Sequence, residues 1–170
     1  PPMTNPIYAA TIPVYSQMLG AFSKIVDKLE AHCEAKKIDP SVFANARLFP
    51  DMFDFKRQVQ MACDFAKNPA ARLAGVEPPA FADTEATLPE LKARIVKTVD
   101  YLKTLKPEQF KDAATREITI TPGGQKMTFP GETYLNNFAL PNFYFHLTSA
   151  YAILRSHGVD IGKWDYMGRA

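Results

Sequence analysis

Residues 134–157, YLNNFALPNFYFHLTSAYAILRSH, decide how this chain folds. Set out at about 100° per residue, they place Phe138, Phe145 and Ala152 on one line, flanked by Leu135 and Ile153. Phe143, Tyr144, Leu147, Tyr151 and Leu154 cover most of the opposite side, leaving Asn137, Thr148 and Arg155 as a narrow solvated strip. A helix that is apolar nearly all round is covered on more than one side. A bundle core on one face and a second subunit on the other would do this. Glu132 or Thr133 can start the helix, and Gly158 can end it in a left-handed cap. Pro141 lies inside it. Proline removes a backbone donor and clashes with the preceding turn, so a kink or a division is expected one turn before His146. Asn142, His146 and Ser149 follow at helical spacing, a polar strip among aromatics, and buried polar groups need partners.

Upstream, Tyr15, Leu19, Phe22, Val26, Leu29 and Cys33 repeat at helical spacing and predict a helix over 11–36, with Thr11 as its cap and Pro13 in its first turn. Residues 1–10 read as an irregular lead-in. A second helix is expected over 51–74, capped by Asp51 and ended by Gly75, with Phe55, Val59, Ala62, Ala66 and Leu73 inward. Asp51 and Gln58 sit at the edge of that inward face, while Arg57, Gln60, Asp64 and Lys67 are read as pointing away. The Pro-containing connection 75–86 is long enough to cross the end of a bundle. Thr87 to Glu90 has the pattern of a capping box, and Leu88, Leu91, Ile95, Val99 and Leu102 predict a third helix over 88–105, with Glu90 and Arg94 spaced to pair one turn apart. The alternation in 116–121, the turn chemistry of Pro122-Gly123-Gly124 and the stretch 125–129 predict a β-hairpin. The tail after Gly158, with Ile161, Trp164, Tyr166 and Met167, is expected to pack back as an apolar clasp. Four helices with a hairpin before the last make an all-α four-helix bundle in one domain, 1–170.

The 170 residues suffice for a substantial core, and 46% apolar and 12% aromatic content suits a globular protein. A net charge of +2 gives no argument for nucleic acid as a partner. No apolar run is long enough to span a membrane, and no signal-peptide pattern is present. The chain opens on Pro1, as expected of a processed or replaced start. Cys33 and Cys63 are expected to be reduced, as in a cytoplasmic protein, and without a CxxC they do not suggest a catalytic thiol. Gly123-Gly124 is a turn rather than a phosphate loop.

The segments RLFPDMFDFKRQVQMACDFAK (47–67), ARLAG (71–75), LPNFYFHLTSAYAILRSHGV (140–159) and IGKWDYMG (161–168) together resemble a bacterial domain-of-unknown-function family grouped with the DinB/YfiT-like bundles. The resemblance runs from about Tyr15 to Gly168. It implies a four-helix bundle of up-down-down-up type, often a homodimer, and no established reaction. In the wider superfamily it implies metal-dependent proteins and thiol-dependent transferases or isomerases. These hold a divalent metal with one histidine on the second helix and two, four residues apart, on the last. Here His146 matches a last-helix position in kind, but Asn142 and Ala150 stand four residues to either side, and the second helix has no histidine.

Two readings of the polar strip stay open. In one, a small-ligand pocket lies between the second and last helices, with His146 as ligand or general base and Asn142, Gln58, Asp51 and Tyr15 as ligand-binding partners. A divalent metal on His146 is conceivable but disfavoured, because amide oxygens are poor transition-metal ligands beside imidazole. In the other, these groups form a buried network that fixes helix register inside a non-catalytic dimer, whose ligand is a small apolar molecule or a protein.

Overall fold

The computed structural model describes residues 4–169. The elements in chain order are α1 (Pro6–Ala9), α2 (Ile12–Lys36), α3 (Pro40–Ala44), α4 (Phe55–Leu73) and α5 (Leu88–Thr104), then β1 (Glu117–Ile120) and β2 (Met127–Pro130), then α6 (Gly131–Tyr134), α7 (Leu140–Ser156) and α8 (Lys163–Met167). A π-helical stretch, Leu135–Ala139, joins α6 to α7. The four long helices α2, α4, α5 and α7 form the bundle, and the most extensive contact between helices is that of α4 with α7. Its centre is built from fully buried large side chains of every long helix, among them Tyr15, Phe22, Phe55, Leu91 and Phe143. Tyr15 and Phe143 meet edge to face, with ring centroids 4.8 Å apart, and tie α2 to α7. Among the described residues no helix is long and apolar enough to cross a membrane.

Several helix ends carry their expected chemistry. Thr87 Oγ1 accepts from Glu90 N, and the Glu90 carboxylate accepts from Thr87 N, a complete capping box. That carboxylate also accepts from Ala86 N, so Glu90 serves the cap and not the expected pair with Arg94. Gly158 adopts φ 89°, and Val159 N reaches back to Leu154 O at 3.1 Å, closing α7 with the expected left-handed cap. Two starts differ from expectation. Asp54, not Asp51, caps α4, accepting from Arg57 N at 2.8 Å. Residues 6–9 form a helical turn where an irregular lead-in was expected, because Asn5 Oδ1 accepts from both Ile7 N and Tyr8 N.

The proline in the organising helix widens that helix without dividing it. Leu140 N bonds Leu135 O, five residues back. A proline ring would collide with the carbonyl four residues before it, and a π turn there relieves the clash while the helix continues. Asn142 Nδ2 donates to Phe138 O at 2.8 Å and satisfies a carbonyl at this wide turn.

The hairpin pairs Glu117 with Pro130 and Ile120 with Met127. Ile118 and Ile120 face the core, while the Thr119 and Thr128 hydroxyls meet at 3.0 Å on the other side. β2 brings Phe129 to the rings of Tyr134 and Phe138. The tail folds back as α8 against α2 and α7, held by Lys28–Asp165 at 2.6 Å, Gln17 Nε2 to Met167 O and Thr148 Oγ1 to Tyr166 Oη. Val159 and Ile161 are buried, but Trp164 stays exposed, so the clasp is more polar than its sequence suggests.

The largest departure is on α4. Gln60 and Lys67, read as outward, are both 3% exposed. The connection 75–87 lies over them, with Lys67 Nζ donating to Pro79 O and Gln60 Nε2 to Glu85 Oε2. Phe81 of the connection sits beneath the ammonium groups of Lys67 (4.4 Å) and Lys97 (4.1 Å). Arg94 of α5, its side chain wholly buried, donates to Ala82 O and bonds Asp64 (2.9 Å), Asp83 (3.0 Å) and Glu85 (3.1 Å).

Candidate functional site

The α4–α7 contact brings together two polar side chains 88 residues apart. Gln58 Oε1 lies 2.7 Å from His146 Nδ1, and the pair is buried. The Gln58 Nε2 group faces Phe53 O at 3.4 Å, which leaves the amide oxygen toward the imidazole. An amide oxygen only accepts, so Nδ1 carries the proton and Nε2 presents its lone pair. Nε2 has no hydrogen-bond partner among the described residues, and it is not one of the fully enclosed unpaired atoms. The small exposed part of His146, 7% of the residue, therefore includes this edge of the ring.

Aromatic rings surround the imidazole. Phe53 stacks on the imidazole at 6.2 Å and 20°, and Phe65 at 5.6 Å and 15°. Phe145 meets it edge-on at 5.3 Å. Arg57 lies over the Phe53 ring, with its guanidinium carbon 5.6 Å from the centroid. Burial first, and the charge of Arg57 second, hold the His146 pKa below the ordinary histidine value, so the ring is neutral near pH 7.

This has a sign that can be checked. The unfolded chain takes up a proton on His146 at a higher pH than the folded one. The histidine's contribution to stability is thus complete above about pH 6.5, the unfolded value, and is lost as pH falls from there through the lower folded value. Denaturant melts from about pH 8 to 5 should show a steeper acid loss in the native protein than in His146→Gln. Equal slopes would refute the buried neutral imidazole.

The other expected partners do not converge on it. Asn142 is committed to Phe138 O. Asp51 is exposed in the loop before α4 and makes no bond to His146 or Gln58. Tyr15 is sealed in the core with an unpartnered hydroxyl, its pKa driven up by burial first and by Tyr134 and Tyr144 next. Phe53 and Phe65 were not foreseen. Phe65 lies seven residues after Gln58, a spacing that puts both on one helix face and was the available signal.

Residues 7–167 match the family described as "Domain of unknown function (DUF1993)". The chain belongs to that family. The DUF1993 chain is also similar to the crystal structure of a DinB family member protein from Shewanella denitrificans. The two share 44% identity with a TM-score of 0.90, over 95% of this chain and 91% of that one. No curated protein sequence matches. The fold is thus the DinB-like helical bundle with its small hairpin.

The three-histidine metal site of the wider superfamily does not fit this DUF1993 protein. Its one inward imidazole is backed by an amide and walled by phenyl rings. Among the described residues no group of three or more His, Cys, Asp or Glu side chains is placed to hold a metal ion. What the arrangement offers is an oriented, neutral hydrogen-bond acceptor in an apolar surround.

Proposed function

We propose that this protein binds a small molecule at His146, whose Nε2 accepts a hydrogen bond from the ligand and can serve as general base toward it. The bond from Nδ1 to Gln58 Oε1 at 2.7 Å supports this reading above all, since it fixes the tautomer with the free lone pair at the accessible ring edge. A compact ligand with an apolar body against Phe53 and Phe145 and an O–H, N–H or S–H group toward Nε2 suits these neighbours. The depressed pKa keeps the base unprotonated at neutral pH. The thiol chemistry implied by the superfamily resemblance would supply a suitable proton.

Diethyl pyrocarbonate tests this directly, because it acylates neutral, reachable imidazole nitrogens. Peptide mapping should find His146 modified in the native protein, alongside the half-exposed His32 and exposed His157. Gln58→Leu should change the His146 tautomer seen by nitrogen NMR. Protection of His146 while the other two react would count against an open ligand site.

That protected outcome would favour a second reading, a homodimer that covers the same edge. Phe53 and Phe145, which flank His146, are 44% and 55% exposed, and Phe49 of the loop before α4 is 63% exposed. Rings of this kind buried against a second copy would cover that edge. Sedimentation equilibrium would then give a dimer that Phe145→Glu dissociates.

A further inference from the structure

A separate cavity of about 280 Å³ lies between α4, the turn of the hairpin and the π-helical stretch. We propose that it is a binding site for a small carboxylate with a planar apolar body, with Arg72 as the group that takes the carboxylate. This goes beyond the His146 reading and does not depend on it, although Phe65 serves both places, stacking on His146 and lining this cavity.

Asp64, Asn68 and Arg72 are spaced four apart on α4, so they stand on one face, and all three line the cavity. Their charges are treated differently. The Asp64 carboxylate is bound by Arg94 at 2.9 Å and lies 3.6 Å from Lys67. Among the described residues Arg72 has no carboxylate within ion-pair distance. Its Nη1 donates to Tyr134 Oη at 3.0 Å. Tyr134 is fully buried and its phenol stays neutral, burial raising its pKa against the opposing pull of Arg72. The phenol therefore fixes the guanidinium without cancelling its charge.

One of the five guanidinium donors is used in this way, and the rest have no protein acceptor among the described residues. Among the described residues the Asn68 amide and the Thr121 hydroxyl, also on the cavity wall, likewise make no side-chain hydrogen bond. Opposite in character are the rings of Phe65 and Phe138, which meet edge to face at 5.9 Å. Phe138 is in turn stacked on Phe129 and Tyr134. A fork of donors beside two supported aromatic walls is the arrangement that recognises a carboxylate on a flat body. The volume falls just below the usual range for ligand pockets, roughly 300–1,000 Å³, so the acid is no larger than about benzoate. A phosphate would leave the aromatic walls unused.

The test is calorimetric titration of the full chain with benzoate and, separately, with benzamide, its neutral near-isostere. Benzoate should bind saturably with a dissociation constant of about millimolar or tighter, and benzamide about tenfold or more weaker. Arg72→Gln should lose benzoate binding. Should that variant fail to fold, Asn68→Asp leaves the Arg72–Tyr134 bond in place and puts an anion one helical turn from the guanidinium. It too should lose benzoate binding. His146→Gln should bind benzoate as the native chain does, which separates this site from the one at His146. Equal binding of benzoate and benzamide, benzoate binding that survives in either Arg72→Gln or Asn68→Asp, or no saturable benzoate binding in the native chain would each overturn the proposal.

Discussion

Arg94→Met should destabilise the protein by roughly 3–5 kcal/mol, the cost of removing one member of a buried, hydrogen-bonded ion cluster. Arg94 has a fully buried side chain that bridges Asp64 of α4 to Asp83 and Glu85 of the connection and also donates to Ala82 O. Burial alone would lower its pKa, but Asp64 and Glu85 outweigh that and hold it above the ordinary arginine value. Methionine replaces only the aliphatic stem, leaves the guanidinium's place unfilled and leaves three carboxylates facing one another, with Lys67 and Arg57 as the remaining cations. Arg94→Lys keeps the charge but cannot bridge three acceptors as a planar fork does, and should lose an intermediate amount. Guanidinium melts measure both variants. A loss under about 1 kcal/mol for Arg94→Met would show that the cluster is solvated and only decorates the surface.

This cluster also marks where the sequence stopped being informative. Apolar periodicity located α2, α5 and the inward face of α4 because each is set by neighbours within a few turns. Gln60 and Lys67 looked outward on the same periodicity. Their burial depends on the path of residues 75–87, which supply Pro79 O, Phe81 and Glu85, and no local pattern encodes that path. The meeting of Gln58 and His146 was legible, since each is a polar residue beside an apolar stripe of a helix expected to face the other. Asn142 and His146 also share a helix face, but helical spacing does not reveal that the π turn recruits the Asn142 amide. Asp51 was drawn into the expected site by an assumed helix start three residues too early, Asp54 being the actual cap. Tyr15 carried a polar atom but no signal that its hydroxyl would end up enclosed among core side chains.

The seating of the last helix rests on one glycine, and Gly131→Ala should expose this. Gly131 opens α6 directly after β2, and a Cβ added there would lie 1.8 Å from Ala113 O and 3.1 Å from Leu73 Cδ2. The near atom is backbone, held in a segment where Ala114 O accepts from Glu132 N at 2.9 Å, so no side-chain rotation relieves the overlap. The chain must move, and the expected loss is about 3 kcal/mol or somewhat more, at or above the upper end for overpacked sites. The displacement passes along a continuous helical path through the π turn into α7, a helix of 17 residues with His146 near its middle. Gly131→Ala should therefore weaken the 2.7 Å His146–Gln58 bond even though both residues are intact, and the His146 nitrogen shifts should move toward those of Gln58→Leu. Gly20→Ala is the matched control, because a Cβ there meets nothing within 4 Å in mid-α2, and it should stabilise by about 0.5–1 kcal/mol. If Gly131→Ala instead melts like the native protein with unchanged His146 resonances, the helix is seated by its apolar faces alone. The close approach of α6 to residues 113–114 would then have no part in placing the imidazole.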